Sequence, residues 1–347
     1  MEKIKAGTLL DGTKVTNYVL TNSLGDRVVL SEYGARLVSW EIVTPAGDTE
    51  NMVSCPEDLS SIEKSGQVRG ATVGPVANRI GEASFRLDDK YYMFNKNNGN
   101  NLLHSGDAAL HTICWQTKKT SDDSVTFYHE VKDKADKFPG HRKFSVTYSL
   151  DQRSLSIHYH VETDQDTPVA LTNHAFFTLG EEDNVDALEL ELNASYFTPV
   201  DDALIPTGEV LKVEGSDFDF RTPRVLNTVK ESEDPRIKNV GGLDHNFIVD
   251  QEERGEVAIV GRVINHRNSL QLACFSSEPG VQVYMEPYTK VEDKNSAATG
   301  LYRAICLETQ HFPDAVNIPH FPSPILRAGQ SLDSYTYYSI SPYSQED

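Results

Sequence analysis

Glu308 closes the mostly apolar run Arg303-Ala304-Ile305-Cys306-Leu307 and opens Glu308-Thr309-Gln310-His311-Phe312-Pro313-Asp314-Ala315-Val316-Asn317. A carboxylate set in such a run is either paired with an arginine or raised in pKa towards general-base work, because burial penalises its charge. His174 is embedded in Leu171-Thr172-Asn173-His174-Ala175-Phe176-Phe177. Burial there lowers an imidazole pKa unless an acidic partner offsets it, so His174 is either a satisfied core residue or a group that moves protons. Arg79 lies between apolar neighbours in Gly74-Pro75-Val76-Ala77-Asn78-Arg79-Ile80-Gly81. Its five fixed donors suit it to gripping hydroxyl or carboxylate oxygens, or to capping loop carbonyls. His104 follows a turn cluster in Asn100-Asn101-Leu102-Leu103-His104-Ser105-Gly106, and Asp244 stands beside glycines in Gly241-Gly242-Leu243-Asp244-His245. These residue types fit acid–base chemistry in a cleft without naming a reaction.

Other chemistries lack their motifs. There is no glycine-rich phosphate loop with its lysine and no Gly-x-Ser-x-Gly elbow. His158 and His160 share one face of a strand, as a metal site would need. With no third ligand recognisable, they read as a solvent-facing polar edge, and no metal is predicted.

The elements that must position these groups are strands. Phe144-Ser145-Val146-Thr147-Tyr148-Ser149-Leu150 alternates large apolar with small polar residues, and Leu155-Ser156-Ile157-His158-Tyr159-His160-Val161 resumes the alternation after a short turn. That pattern predicts an antiparallel hairpin with one buried face. Leu188–Leu192, Gln282–Met285 and Tyr335–Ile340 read as further strands. Helical periodicity is confined to short turns near Pro56–Lys64, and turn clusters fall at 97–101, 214–217 and 319–324. Many short strands between regular turn signals predict an all-β fold, a large antiparallel β-sandwich, with residues 1–347 as one domain.

Composition narrows the partners. Lys and Arg total 32 against 52 Asp and Glu in 347 residues, a formal charge of −20. A surface that acidic repels phosphate backbones and anionic membranes, so neither nucleic acid nor membrane is expected. Cys55, Cys114, Cys274 and Cys306 are scattered without a Cys-x-x-Cys pair, which predicts reduced thiols rather than a zinc ribbon or a disulfide framework. No secretory leader and no apolar run of membrane-spanning length stands out, and the expected location is the cytoplasm.

Taken together and in this order, Asn-Arg-Ile, Leu-His-x-Gly, Thr-Asn-His, Leu-Asp-His and Leu-Glu-Thr-Gln-x-x-Pro-Asp-Ala-Val-Asn resemble the galactose mutarotase (aldose 1-epimerase) family. The resemblance runs from Gly34-Ala35-Arg36-Leu37 to Gly329. It implies a β-sandwich with an open cleft, no cofactor and a small sugar as substrate, in a monomer or homodimer. It also implies Glu308 as general base and His174 as general acid, with Arg79 and His104 holding the sugar. Asp244 would bond sugar hydroxyls, Gln282 would bind further along, and Asn78 would edge the site. Phe176 or Tyr284 would offer a face to the sugar ring or pack in the core. The family usually carries a hydroxyl residue and a tyrosine where this chain has Ala175 and Phe176, and a glycine where it has Ser105; Met285-Glu286-Pro287 also departs from the common pattern. These changes bear on sugar preference. Alternatives on the same fold are a maltose- or hexose-6-phosphate-preferring epimerase and a non-catalytic sugar-binding protein.

Overall fold

Alternation of apolar and polar side chains becomes two-faced sheet wherever it occurs along the chain. The computed structural model describes residues 1–56, 58–287 and 301–344. In it, strands Arg142–Asp151 and Ser154–Thr163 pair antiparallel with Leu150 opposite Leu155. Phe144, Val146, Tyr148, Ile157, Tyr159 and Val161 turn inward, while the residues between them face out.

This hairpin belongs to a nine-stranded sheet. Its order is Gln116–Thr120, Ser124–Val131, Arg142–Asp151, Ser154–Thr163, Ser331–Pro342, Leu270–Ser276, Ala258–Asn265, Glu189–Leu192 and Arg224–Val225. The late strand Ser331–Pro342 thus sits in the middle, bonded to Ser154–Thr163 on one side and Leu270–Ser276 on the other. One five-stranded sheet runs from Glu2–Thr8 to Thr49–Asn51; another has the order Leu211–Lys212, Tyr196–Thr198, Asp244–Ile248, Gly280–Pro287 and Tyr302–Gln310. A single apolar cluster joins the inner faces of all three, from Tyr18 and Trp40 through Phe144 and Ile157 to Val283, Leu307 and Tyr338. The result is a large antiparallel β-sandwich, with the nine-stranded layer packed against both smaller sheets.

Polar contacts fix the layers where apolar packing alone would let them slide. The Tyr148 hydroxyl donates to the Ala35 carbonyl at 2.7 Å, and the Tyr338 hydroxyl to the Leu307 carbonyl at 2.8 Å. Thr309 and Thr336 share a hydroxyl bond of 2.6 Å. Strand Tyr302–Gln310 is consequently buried on both faces, with Arg303 alone exposed. Ile305 and Leu307 join the core; Ala304, Cys306 and Glu308 face the opposite way.

Helix is scarce. Leu59–Ser65 begins where the Asp58 side chain accepts the Ser60 and Ser61 N–H groups and ends at Gly66, whose φ is 62°. It falls in the stretch that predicted helical turns. Pro235–Val240, capped by Asp234 and Gly241, was not foreseen, since six residues show no period. Among the described residues no helix is long and apolar enough to cross a membrane, and the four cysteines are unpaired.

Candidate active site

A cleft of about 490 Å³ opens over the outer face of the Asp244–Ile248, Gly280–Pro287 and Tyr302–Gln310 strands. The antiparallel register lays out its floor. Glu308 lies opposite Gln282, Gln282 opposite Asn246, and Asp244 opposite Tyr284. Because side chains alternate, Gln282, Tyr284 and Glu286 share the face that carries Glu308.

The walls come from loops anchored to the same layer. Strand Thr172–Asn173 pairs with Thr72–Val73, and the His174 backbone is held at both ends, its N–H bonded to the Ala71 carbonyl and its carbonyl to the Gly70 N–H. The Asn173 side chain donates to the Gly70 carbonyl at 2.8 Å and to the Tyr148 hydroxyl at 3.0 Å. Gly70 is obligatory at this turn. Its φ is +70°, and a Cβ there would lie 1.9 Å from the Leu37 carbonyl oxygen.

The Asn78–Arg79 turn and the His104 loop lock together. Asn78 has φ 59° and His104 φ 49°, strained values for residues with side chains. The His104 N–H bonds the Asn78 carbonyl, and the Asn78 N–H donates to His104 Nδ1 at 3.2 Å. An Nδ1 that accepts leaves the ring proton on Nε2, so His104 is a neutral donor. Burial, then the neighbouring His174, His111 and Arg79, hold its pKa well below the ordinary histidine value. Arg79 is oriented by Asn98, which accepts from Nε at 3.0 Å, and its Nη1 lies 3.8 Å from Asp244 Oδ2.

At the cleft floor, His174 Nε2 stands 3.4 Å from Glu308 Oε2, with the residues 5% and 2% exposed. Burial pushes the two groups in opposite directions. It takes His174 down to about 3. It raises Glu308 well above the usual carboxylate range, with the Asp244 charge adding to the rise and Arg79 opposing it. Of the two readings of a carboxylate in such a run, the raised pKa is the one its burial produces. Burial thus works against the charged form of both groups.

Asn78, Arg79, His104, His174, Phe176, Asp244 and Glu308 all line this cleft. Gln282 is near them but behind, where its Nε2 donates to Asp244 Oδ1 at 2.6 Å. It orients the carboxylate rather than forming the wall. Of the residues marked as departures, Ala175 packs into the main core cluster, so its missing hydroxyl leaves the cleft wall unchanged. Ser105 keeps the glycine-like φ of 65° because its hydroxyl bonds both the N–H and the carbonyl of Val76. The sequence did not single out Arg69, which pairs with Glu286 and lies 4.3 Å from the Phe176 ring. Phe176 in turn stacks on His174 at 4.9 Å and 8°. Asn98, legible only as part of a turn, is the residue that aims Arg79.

Fold and cleft define a β-sandwich whose open face carries a buried histidine–glutamate pair ringed by Asn78, Arg79, His104 and Asp244. The family profile described as aldose 1-epimerase matches residues 16–339, and the chain belongs to that family of isomerases. It is 34% identical over 319 residues to the galactose mutarotase of Bos taurus, covering 91% of each chain. It is 29% identical over 336 residues to the aldose 1-epimerase of Escherichia coli K12, covering 95% of this chain and 96% of that one. Among solved structures, an aldose epimerase homologue from C. elegans superposes with a TM-score of 0.85 at 28% identity, over 94% of this chain and 99% of the other.

Proposed function

We propose that this chain interconverts the α and β anomers of free hexoses such as galactose and glucose, with Glu308 and His174 trading protons across the hemiacetal. The observation that carries this reading is the 3.4 Å contact between the two at the floor of the cleft. Glu308 takes the proton of the anomeric hydroxyl while His174 gives one to the ring oxygen. The bond between the anomeric carbon and the ring oxygen breaks, leaving an open-chain aldehyde. Rotation about the bond between the first two carbons presents the other face, and closure returns each proton to its donor. An entering sugar supports the charged arrangement that burial resists. Its hydroxyl donates to the carboxylate, and its ring oxygen accepts from the imidazolium. Arg79, the His104 Nε2–H and Asp244 offer donors and an acceptor to the remaining hydroxyls.

Both cleft arginines already face carboxylates, Arg69 with Glu286 and Arg79 with Asp244. This favours a neutral sugar over a phosphorylated one, whose dianion needs unmatched cations. One observation supports a second reading, an aldose extended by another sugar unit as in maltose. The cleft continues along the Gly280–Pro287 strand to Glu286, four residues beyond Gln282 and so about 13 Å from the level of Glu308.

Polarimetry or proton NMR of freshly dissolved α-glucose, α-galactose and maltose tests both readings. The expected result is faster anomer exchange with protein, and the relative rates rank the sugars. Glu308→Gln and His174→Asn should each lower turnover by about 10²–10⁴-fold with unchanged circular dichroism. No acceleration of any of the three sugars would turn the assignment to a sugar-binding protein.

A further inference from the structure

On the far side of the nine-stranded sheet, two histidines without a catalytic role converge on an aspartate contributed by another strand. His158 and His160 project from Ser154–Thr163 on its outer face, and the register sets His160 opposite Asp333 and His158 opposite Tyr335. His158 Nε2 lies 2.7 Å and His160 Nδ1 2.9 Å from the same oxygen, Asp333 Oδ1. We propose that His158, His160 and Asp333 form a binding site for a divalent transition-metal ion of the zinc class, unconnected with anomer exchange.

Three independent features support it. The ligand atoms of the three residues all lie within 4.8 Å of one another. Around a tetrahedral zinc with bonds of about 2.1 Å, donor atoms stand roughly 3.4 Å apart, so small side-chain shifts admit the ion. The rings are also already oriented. Tyr335 stacks on His158 at 4.5 Å and 7°, and Glu162 Oε1 lies 3.6 Å from His160 Nε2, the nitrogen turned away from the metal position. A carboxylate behind a ligating imidazole is the arrangement that fixes the tautomer and strengthens the ligand. Finally, two nitrogens and one oxygen select a borderline ion over calcium or magnesium, which take oxygen ligands. Water completes the coordination on this open face. Residues 158 and 160 alone left the site incomplete in the sequence, because its third ligand lies 173 positions beyond His160.

Metal-stripped protein titrated calorimetrically with Zn²⁺, with Mg²⁺ as control, should take up one Zn²⁺ per chain and no Mg²⁺. Co²⁺ in its place should give the intense visible absorption of a four-coordinate ion. His160→Gln and Asp333→Asn should abolish this uptake. Glu162→Gln, which removes no ligand, should weaken it about tenfold. All three variants should retain wild-type anomer exchange. The proposal is overturned if Zn²⁺ uptake is absent, or if it survives His160→Gln and Asp333→Asn unchanged. It is equally overturned if uptake is accompanied by inhibition of anomer exchange, which would locate the ion at His174 and Glu308.

Discussion

As the proposed base, Glu308 would owe its proton affinity to its surroundings as much as to being a carboxylate. Burial is the larger cause of its raised pKa and the Asp244 charge the next. Replacing Asp244 by Asn removes the second cause while keeping the shape. The Glu308 pKa then falls, so its basic form persists to lower pH. The acid limb of the kcat/KM profile should accordingly move to lower pH, and KM should rise as a hydroxyl acceptor weakens. A pH–rate series on Asp244→Asn checks both, and an unmoved limb would detach Asp244 from the base. At this scale the sequence was informative about identity and poor about company. Apolar surroundings marked Glu308 and His174 as unusual, and motif order grouped them with Arg79, His104 and Asp244. That Gln282 steadies Asp244, or that Arg69 caps Phe176, depends on side chains meeting across separate elements, which local pattern does not encode.

A strand carries Glu308, the segment just after Thr172–Asn173 carries His174, and turns set their angles. The Gly70 turn bonds the His174 carbonyl through its N–H and the Asn173 side chain through its own carbonyl. A Cβ at Gly70 would meet the Leu37 carbonyl oxygen at 1.9 Å on a backbone with φ of +70°. Gly70→Ala should therefore destabilise by about 3 kcal/mol or more and displace His174, lowering activity even in the fraction that folds. Thermal melts combined with activity per folded molecule separate the two effects. Period-two runs made the hairpin 144–161 and the strands near 188–192, 282–285 and 335–340 legible beforehand. Strand Tyr302–Gln310 was harder. Its double burial removes alternation, leaving an apolar run interrupted by Glu308 as the only sign. The two-residue strands Arg79–Ile80 and Thr172–Asn173 have no pattern to read and exist through their partners.

The whole molecule is assembled from distant pieces of chain. Ser331–Pro342 is the fifth of nine strands, pairing with residues 154–162 and 270–276. Removing residues 331–347 would split the large sheet, strip Tyr338 from the core and leave apolar edges open. Such a truncation should yield aggregated or unfolded protein with no anomer exchange, as measured by circular dichroism and size-exclusion chromatography. Sandwich class was readable from composition and strand spacing, whereas this strand order was not, because it rests on pairings between remote segments.

Tyr338 donates its hydroxyl to the carbonyl of Leu307, the residue beside Glu308. During synthesis, Arg79, His104, His174 and Glu308 all leave the ribosome before the segment that clamps the sheet beneath them. A nascent chain stalled at that stage would hold all four cleft residues without the strand that fixes the floor beneath them. On the proposed reading, activity should then appear only with the last strand rather than growing in step with the polypeptide.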